Sequence, residues 1–456
     1  MVQETMHDRW KGRQGEFHTA MLKKQGDYVN MVSDLDKFYH GDHSPMMGVS
    51  GYLSKMFPQA YAGGKLALSA LPLTKRIVDA QATLFHRRPG WILKQNGEDL
   101  PPDNPQVMMF EALRKETHLD LTCRKIQRRD RLWNTVFAKP SWRLEKIQID
   151  VIKPSVVGVI ESKIDPSDLD DAEAIAIEIN SGIYEIWEKP SIDNGWLWTY
   201  GVVNFNDGSE YDPLFGGTFI NGYSEYPLVR FSHNPSTGIY GVVDDALLNA
   251  QIGVDVLESW ADFQFRLGFT IAVLTTTKDL GKTDMPISPD MVVKLTPGQE
   301  ESFERIASGL DTGQLTSYIE DKIKRFAALS SIDPDILSSD SKQFMAALSG
   351  IAQQYDRMDL QELREESEVP YEEALPALID KSVTVNNWHR TDSQISEDLE
   401  VCLRWYMPKP PQNRLQESQA DKMDIEEGIR TRQEVRADRA GKPESEMSDA
   451  DVVDAV

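Results

Sequence analysis

Hydrophobic positions along this chain change period twice. From Leu73 to Phe85 they recur at helical spacing, and the run is stopped by Arg88 and Pro89, because the residue before a proline is pushed out of the helical region. A second, charge-rich helix is predicted from about Pro105 to Val136. From Ser141 to Phe231 the period falls to two with frequent aromatics, as in Gly182 to Glu188 and Trp196 to Val203, which predicts antiparallel strands. Between those two runs Asn194-Gly195 signals a hairpin, since the favoured two-residue turn needs positive φ at both central positions. The strand-like run Tyr226 to Phe231 and a turn at Asn234 to Gly238 close this region.

Helical spacing then returns from about Gly241 to Leu267, with apolar residues on most faces. One stripe winds through Leu247, Val254, Leu257 and Ala261, while Leu248, Ile252, Val256 and Trp260 occupy others. A helix apolar on most faces is covered on most faces. The chain offers it few partner helices, so Leu257 and Trp260 are candidates for packing between copies. The insert from Phe269 to Phe303 reads as two strands, Thr270 to Thr275 and Asp290 to Leu295, and is too small to bury a core of its own. A second amphipathic helix, Thr312 to Leu329, carries Lys322, Lys324 and Arg325. A polar loop follows from Ser330 to Ser341, then Lys342, Gln343 and the small-residue run Ala346 to Ala352, which opens a further helix with Glu362, Glu365, Glu366 and Glu368 as a solvated face. Beyond Gln412 the chain reads as charged helix and turn, with disorder or partner-dependent order expected.

Charge and chemistry narrow the function. At 456 residues the chain holds about three domain-sized units on a guide of ~150 residues each. Its net charge of -24, from 49 Lys and Arg against 73 Asp and Glu, argues against tight DNA binding, which needs cations to neutralise phosphates. An acidic wall suits a conduit past which phosphates move without sticking, while charge alone reads first as a device for solubility. No apolar run approaches the ~18 residues of a membrane span, and the N-terminus lacks the apolar core of a signal peptide, so a cytoplasmic origin is expected. Cys123 and Cys402 form no metal or disulfide pattern and read as reduced, buried thiols. Arg124, Arg128 and Arg131 share one helix face, read as solvated or, alternatively, as contacting an acidic neighbouring subunit. His40 and His43 with Asp42 sit in a turn-rich loop and read as surface rather than metal ligands. No phosphate-binding loop, nucleophile elbow or zinc-protease motif occurs, and no catalytic, cofactor or metal site is expected.

The order of parts resembles the portal proteins of tailed bacteriophages, the head-to-tail connector rings. The resemblance rests on helix, small β insert, helix, loop and small-residue helix start between Pro227 and Ala352. It extends to Arg76 to Phe85 followed by Arg88-Pro89, to Ser349-Gly350-Ile351-Ala352, to Met407 to Asn413 and to Ala440 to Glu444. It implies an α+β portal fold. The N-terminal region and wing would take 1–240 (β-rich over 141–231), a first stem helix 241–268, the clip 269–303 and a second stem helix 304–329. The tunnel loop would take 330–345, and the wing return and crown helices 346–456. It further implies a dodecameric ring in the virion, at one vertex of the head, made in the host cytoplasm. The ring would contact the terminase large subunit, a head-tail adaptor, the major capsid protein and scaffold, and, transiently and without sequence preference, double-stranded DNA. Lys278 and Lys282 would meet partners at the clip. Lys322, Lys324, Arg325, Ser338, Ser339, Lys342 and Gln343 would line the channel.

The competing reading is a β-rich tail-associated hydrolase or carbohydrate-binding module, which requires a carboxylate pair in an aromatic cleft. The apolar helix separates the two. Trp260→Asp places a charge where wide apolar surface must be covered, at about 3–5 kcal/mol for the lost aromatic alone, and is expected to abolish ring assembly in negative-stain images. Normal rings from that variant would show the helix face to be exposed.

Overall fold

The computed structural model of the chain describes residues 28–43, 70–85, 89–165, 168–189, 198–204, 223–233, 239–241, 245–266, 270–275, 302–307, 312–332, 358–391, 394–396 and 398–405. Contacts divide the chain into two units, Met1–Ser339 with Leu360–Tyr406, and Asp340–Asp359 with Met407–Val456. Almost all described residues belong to the first, a mixed α and β body with one hydrophobic core drawn from its helices and its three- and four-stranded sheets.

Helix α1 (residues 28–39) and α2 (Leu73–Gln81) precede a hairpin of β1 (Gly90–Gln95) and β2 (Glu98–Asp99). The charged run expected as one helix from Pro105 to Val136 is two, α3 (Pro105–Glu116) and α4 (Leu119–Trp133). Asn104 caps α3, its side chain accepting from Gln106 N at 2.9 Å, with Pro105 at the first helical position. The break comes where Thr117 Oγ1 donates back to Leu113 O at 2.8 Å and His118 adopts a left-handed φ of 48°. Neither residue is a glycine or proline, so the helical period of the sequence runs through the break unmarked.

Strands β3 (Val136–Arg143) and β4 (Lys146–Ile152) then form a hairpin, followed by β5 (Val157–Ile160), β6 (Ala174–Asn180), β7 (Ile183–Glu188), β8 (Thr199–Asn204) and β9 (Val229–Phe231). The β region thus begins at Val136, five residues before the expected Ser141. β5 to β8 pair in sequence order as a four-stranded antiparallel sheet, and β3 lies between β4 and β9. The pairing of β7 with β8 is that of a hairpin, while its Asn194-Gly195 turn lies outside the described residues. Trp187 and Trp198 are buried in the shared core, as alternating strand aromatics should be.

After β9 come α5 (Asp245–Arg266), β10 (Thr270–Thr275), β11 (Ser302–Ala307), α6 (Thr312–Leu329) and the long α7 (Met358–His389), which has Pro370 and Pro376 in its interior. The last strand, β12 (Leu399–Arg404), pairs antiparallel with β1 along its whole length, where only helices were expected. Its alternation of Leu399, Val401 and Leu403 with Glu400, Cys402 and Arg404 was the missed signal.

The corner between α4 and β3 gathers three segments. The buried Asp130 carboxylate accepts from His233 N and from the Tyr371 hydroxyl of α7, each at 3.1 Å. Asn134 O accepts from Ser232 Oγ at 2.8 Å, and Thr135 Oγ1 accepts from Gly241 N at 2.8 Å. A Cβ on Gly241 would stand 2.6 Å from Asn134 O, so the chain can pass this corner only as glycine.

A buried ion pair bridges the two larger sheets. Lys139 of β3 donates to both carboxylate oxygens of Glu185 on β7, at 2.5 and 2.8 Å. Burial pushes the Glu185 carboxyl up, but the Lys139 ammonium, its hydrogen bond and the Trp187 indole outweigh that and hold it below the ordinary carboxylate value. This stability is present above the unfolded carboxylate pKa of about 4.3 and is lost as pH falls through the lower folded value. Lys139→Met strands the carboxylate, and we expect a loss of about 3–5 kcal/mol at pH 8. Part of that loss returns at pH 5, where the orphaned acid can protonate. Denaturant midpoints at the two pH values test this, and equal losses at both would exclude a stranded charge.

Candidate assembly and channel elements

The described elements that carry the sequence-derived site residues are α5, the ribbon of β10 and β11, and α6. α5 and α6 pack on each other, and the two strands between them pair antiparallel, from Thr270 opposite Ala307 to Thr275 opposite Ser302. Two boundaries move. Residues 304–307, assigned to the second stem helix, form the end of β11, and that helix starts at Thr312. The strand opposite β10 is β11, while Asp290 to Leu295, expected in that place, lies outside the described residues.

α5 is not apolar all round. Gln251, Asp255 and Ser259, spaced i, i+4, i+8, are all buried on one face. Gln251 Oε1 accepts from Thr74 N at 2.8 Å and from Thr74 Oγ1 at 2.9 Å, while its Nε2 donates to Leu71 O at 2.7 Å and to Asp255 Oδ2 at 2.8 Å. Asp255 also accepts from Leu71 N at 3.0 Å and meets His43 Nδ1 at 3.1 Å. Burial pushes the Asp255 carboxyl above its ordinary value, against the pull of those donors. The ladder satisfies the orphan donors that open α2 and fixes α5 against it. His43, weighed above as half of a metal pair, belongs to this network, and His40 Nδ1 lies 2.7 Å from Asp36 O. Among the described residues no group of His, Cys, Asp and Glu is arranged to hold a metal ion.

Leu257 is partly buried and packs against the core of its own chain. Trp260 lies on α5, but its side chain is outside the described residues. α6 buries a single stripe, Ile319 and Ala327 fully, with Leu315, Ile323 and Phe326 partly. Lys322, Lys324 and Arg325 are all exposed, and the Lys322 ammonium sits 5.3 Å from the Tyr318 ring centroid.

α6 ends in a Schellman cap: Ser331 takes φ 54°, its N–H donates to Ala328 O at 3.2 Å, and Ile332 N donates to Ala327 O at 3.0 Å. Ile332 is buried, and Gln81 Nε2 donates to Ser330 O at 2.9 Å, so the first residues of the expected tunnel loop are tied to α2. Ser338, Ser339, Lys342 and Gln343 lie outside the described residues, as do Lys278 and Lys282.

Arg124 and Arg128 of α4 are exposed, as a solvated face should be, and Arg131 is half-buried, yet all three also bond within the chain. Arg124 Nε donates to Phe85 O at 3.0 Å, Arg128 pairs with Asp79 at 3.2 Å, and Arg131 donates to Leu363 O and Ser367 of α7. Cys123 is buried and Cys402 partly so, both as free thiols.

Two surface clefts bear on the hydrolase alternative. One, at the α3–α4 break, is lined by Glu111, Asp120 and four cationic or imidazole side chains, and Arg114 bonds both carboxylates at 2.9 Å. The other groups Asn96, Asp380, Asp398, Leu399 and Glu400. Neither sets a carboxylate pair among aromatic rings. No helix among the described residues is long and apolar enough to cross a membrane.

No family model matches the sequence, and no curated protein matches it. Among solved structures the chain is similar to a protein in the neck of an empty gene transfer agent particle computed with C6 symmetry. The two are 11% identical with a TM-score of 0.40, over 82% of this chain and 90% of that chain. It is also similar to a protein in the virion of a native gene transfer agent particle, at 10% identity and a TM-score of 0.40, over 83% of this chain and 92% of that chain. At that level neither structure assigns a role to any residue here.

The polar ladder on α5 yields a direct test. Gln251→Leu keeps the volume but leaves Thr74 N, Leu71 O and Asp255 short of partners, and is expected to lower stability by about 2–4 kcal/mol. A denaturant midpoint unchanged from the parent would show that α5 is not fixed through this network.

Proposed function

We propose that this chain is a portal subunit. Copies form a ring at one vertex of a phage head, the conduit for DNA packaging and ejection and the platform for the terminase motor and the head-tail adaptor. The observation that carries the reading is the unit α5–β10–β11–α6, two helices packed on each other with a two-stranded ribbon between them. A lone two-stranded ribbon is marginal in water, and α6 buries only one stripe, so the unit suits a place where neighbouring copies supply the missing cover. The sequence resemblance supplies the rest of the identification, including the virion location and the contacts with capsid protein and scaffold.

The reading assigns no catalytic group; work on DNA is left to a separate motor protein. The acidic balance of the chain fits passage of DNA without tight binding.

Negative-stain images of the purified full chain are expected to show closed rings. Binding of free duplex by those rings is expected to be weak and to weaken further between 50 and 200 mM salt, roughly in proportion to the few phosphates neutralised. A monomer or trimer that hydrolyses a polysaccharide, or a tight sequence-dependent complex with duplex at physiological salt, overturns the reading.

A further inference from the structure

We infer that the exposed flank of α6 formed by Tyr318, Lys322, Arg325 and Leu329 is a subunit seam, and that its partner is the acidic face of α7 on a second copy of this chain. The inference rests on the ring reading and divides the α6 cations by role.

The four residues follow i, i+4, i+7, i+11 and so lie in one row. Tyr318 is 51% and Leu329 84% exposed, at the two ends of a pair of cations. Among the described residues neither Lys322 nor Arg325 has a carboxylate partner in its own chain; Lys322 rests only against the Tyr318 ring. Glu320 lies on the far side of the helix, and Asp321, about 40° from Arg325, is the single exposed acid at the row's edge, so the row stays net cationic.

The complement is on α7. At about 100° per residue, Glu362, Glu365, Glu366, Glu372 and Glu373 fall within an arc of about 120°, with Val369 at its centre. All five acids are exposed, and Val369 is 64% exposed. Each row spans the same stretch of helix, from Tyr318 to Leu329 and from Glu362 to Glu373, about 16 Å at 1.5 Å per residue.

The α6 row is open in a single chain, and on α7 Glu372 and Glu365 are engaged only by neutral donors, accepting from Trp405 Nε1 and Gln361 Nε2 at 3.1 Å each. Neither row forms an ion pair among the described residues, and a second copy offers each the counter-charge it lacks. Two different surfaces meeting in this way make a head-to-tail contact, the kind that closes into rings. Duplex DNA is the competing occupant for the cations. It would meet Lys322 and Arg325 but leave the exposed Tyr318 and Leu329 uncovered, whereas Val369 offers apolar surface for them. Lys324, about 160° around the helix from Lys322, lies off the seam and is the α6 cation left for the channel.

Charge reversal in the full chain tests the assignment, with assembly followed by light scattering across a concentration series. Lys322→Glu with Arg325→Glu is expected to raise the concentration for half-assembly at least about tenfold, as loss of an interface hot spot does. Glu365→Lys with Glu373→Lys is expected to do the same, and combining the four changes to restore assembly. All four positions are exposed, so thermal unfolding of the unassembled chain is expected to stay unchanged. Recovery in the combined variant is the outcome that a folding defect would not produce. Lys324→Glu is expected to leave assembly intact and to weaken duplex binding. If the parent forms rings and Lys322→Glu with Arg325→Glu leaves them intact but abolishes duplex binding, the flank faces DNA and the seam is wrong while the ring stands. If the reversed pairs each block assembly but fail to rescue one another, the two rows do not meet and the inference fails. If the parent forms no oligomer at any concentration, the ring reading fails first.

Discussion

The corner between α4 and β3 decides where everything after the sheets can go. Asp130 is fully buried, and a buried carboxylate is tolerated only when its oxygens are occupied. One of its partners is the backbone just past β9, another the Tyr371 hydroxyl in the middle of α7. A few residues on, Thr135 takes the N–H of Gly241, four residues before α5 begins. The segment that leads from β9 to α5 and the middle of α7 are thus both hung on one short stretch. Displacing it would cost several buried hydrogen bonds together, each worth about 1–3 kcal/mol if left unmade.

Elements with an uninterrupted period were legible in the sequence: the β7 and β8 runs and α6 stand where their patterns put them, α6 at the expected residues, while α2 starts at Leu73 as expected but ends at Gln81, four residues short of Phe85. What was not legible came from residues outside the favoured types. The α3–α4 break uses His118 in a left-handed conformation, and the β3–β4 turn uses Leu144 and Glu145 at φ 51° and 61°. The β1–β2 turn, by contrast, has the Asn96-Gly97 pair such turns prefer. β12 was missed because its partner β1 is some three hundred residues away, and a six-residue alternation in a charged region is a weak signal without that partner.

The site was legible to a different degree. Helical spacing alone sets Lys324 about 160° around α6 from Lys322, and the buried stripe of Ile319 and Ala327 shows that both flanks are open. Arg124, Arg128 and Arg131 were legible only in part: the first two are exposed as expected, and Arg131 is drawn inward. Their spacing is that of a solvated face, yet each is used within the chain, because long cationic side chains can reach backbone carbonyls from the rim of a core. Spacing gives a common face and does not say what covers it.

The polar ladder of α5 bears on how such a helix can serve an assembly. A helix covered only by apolar surface can slide or rotate against its neighbours, because apolar packing is nearly indifferent to register. Gln251 and Asp255 remove that freedom toward α2, since any shift by one residue would strand Thr74, Leu71 and the carboxylate together. Buried polar groups are best attested in this role of fixing register. With one face of α5 locked inside the chain, Leu248, Ile252 and Val256 remain only partly covered. Their orientation is then fixed by the chain itself, which is what the proposed ring would require of a contact repeated between copies.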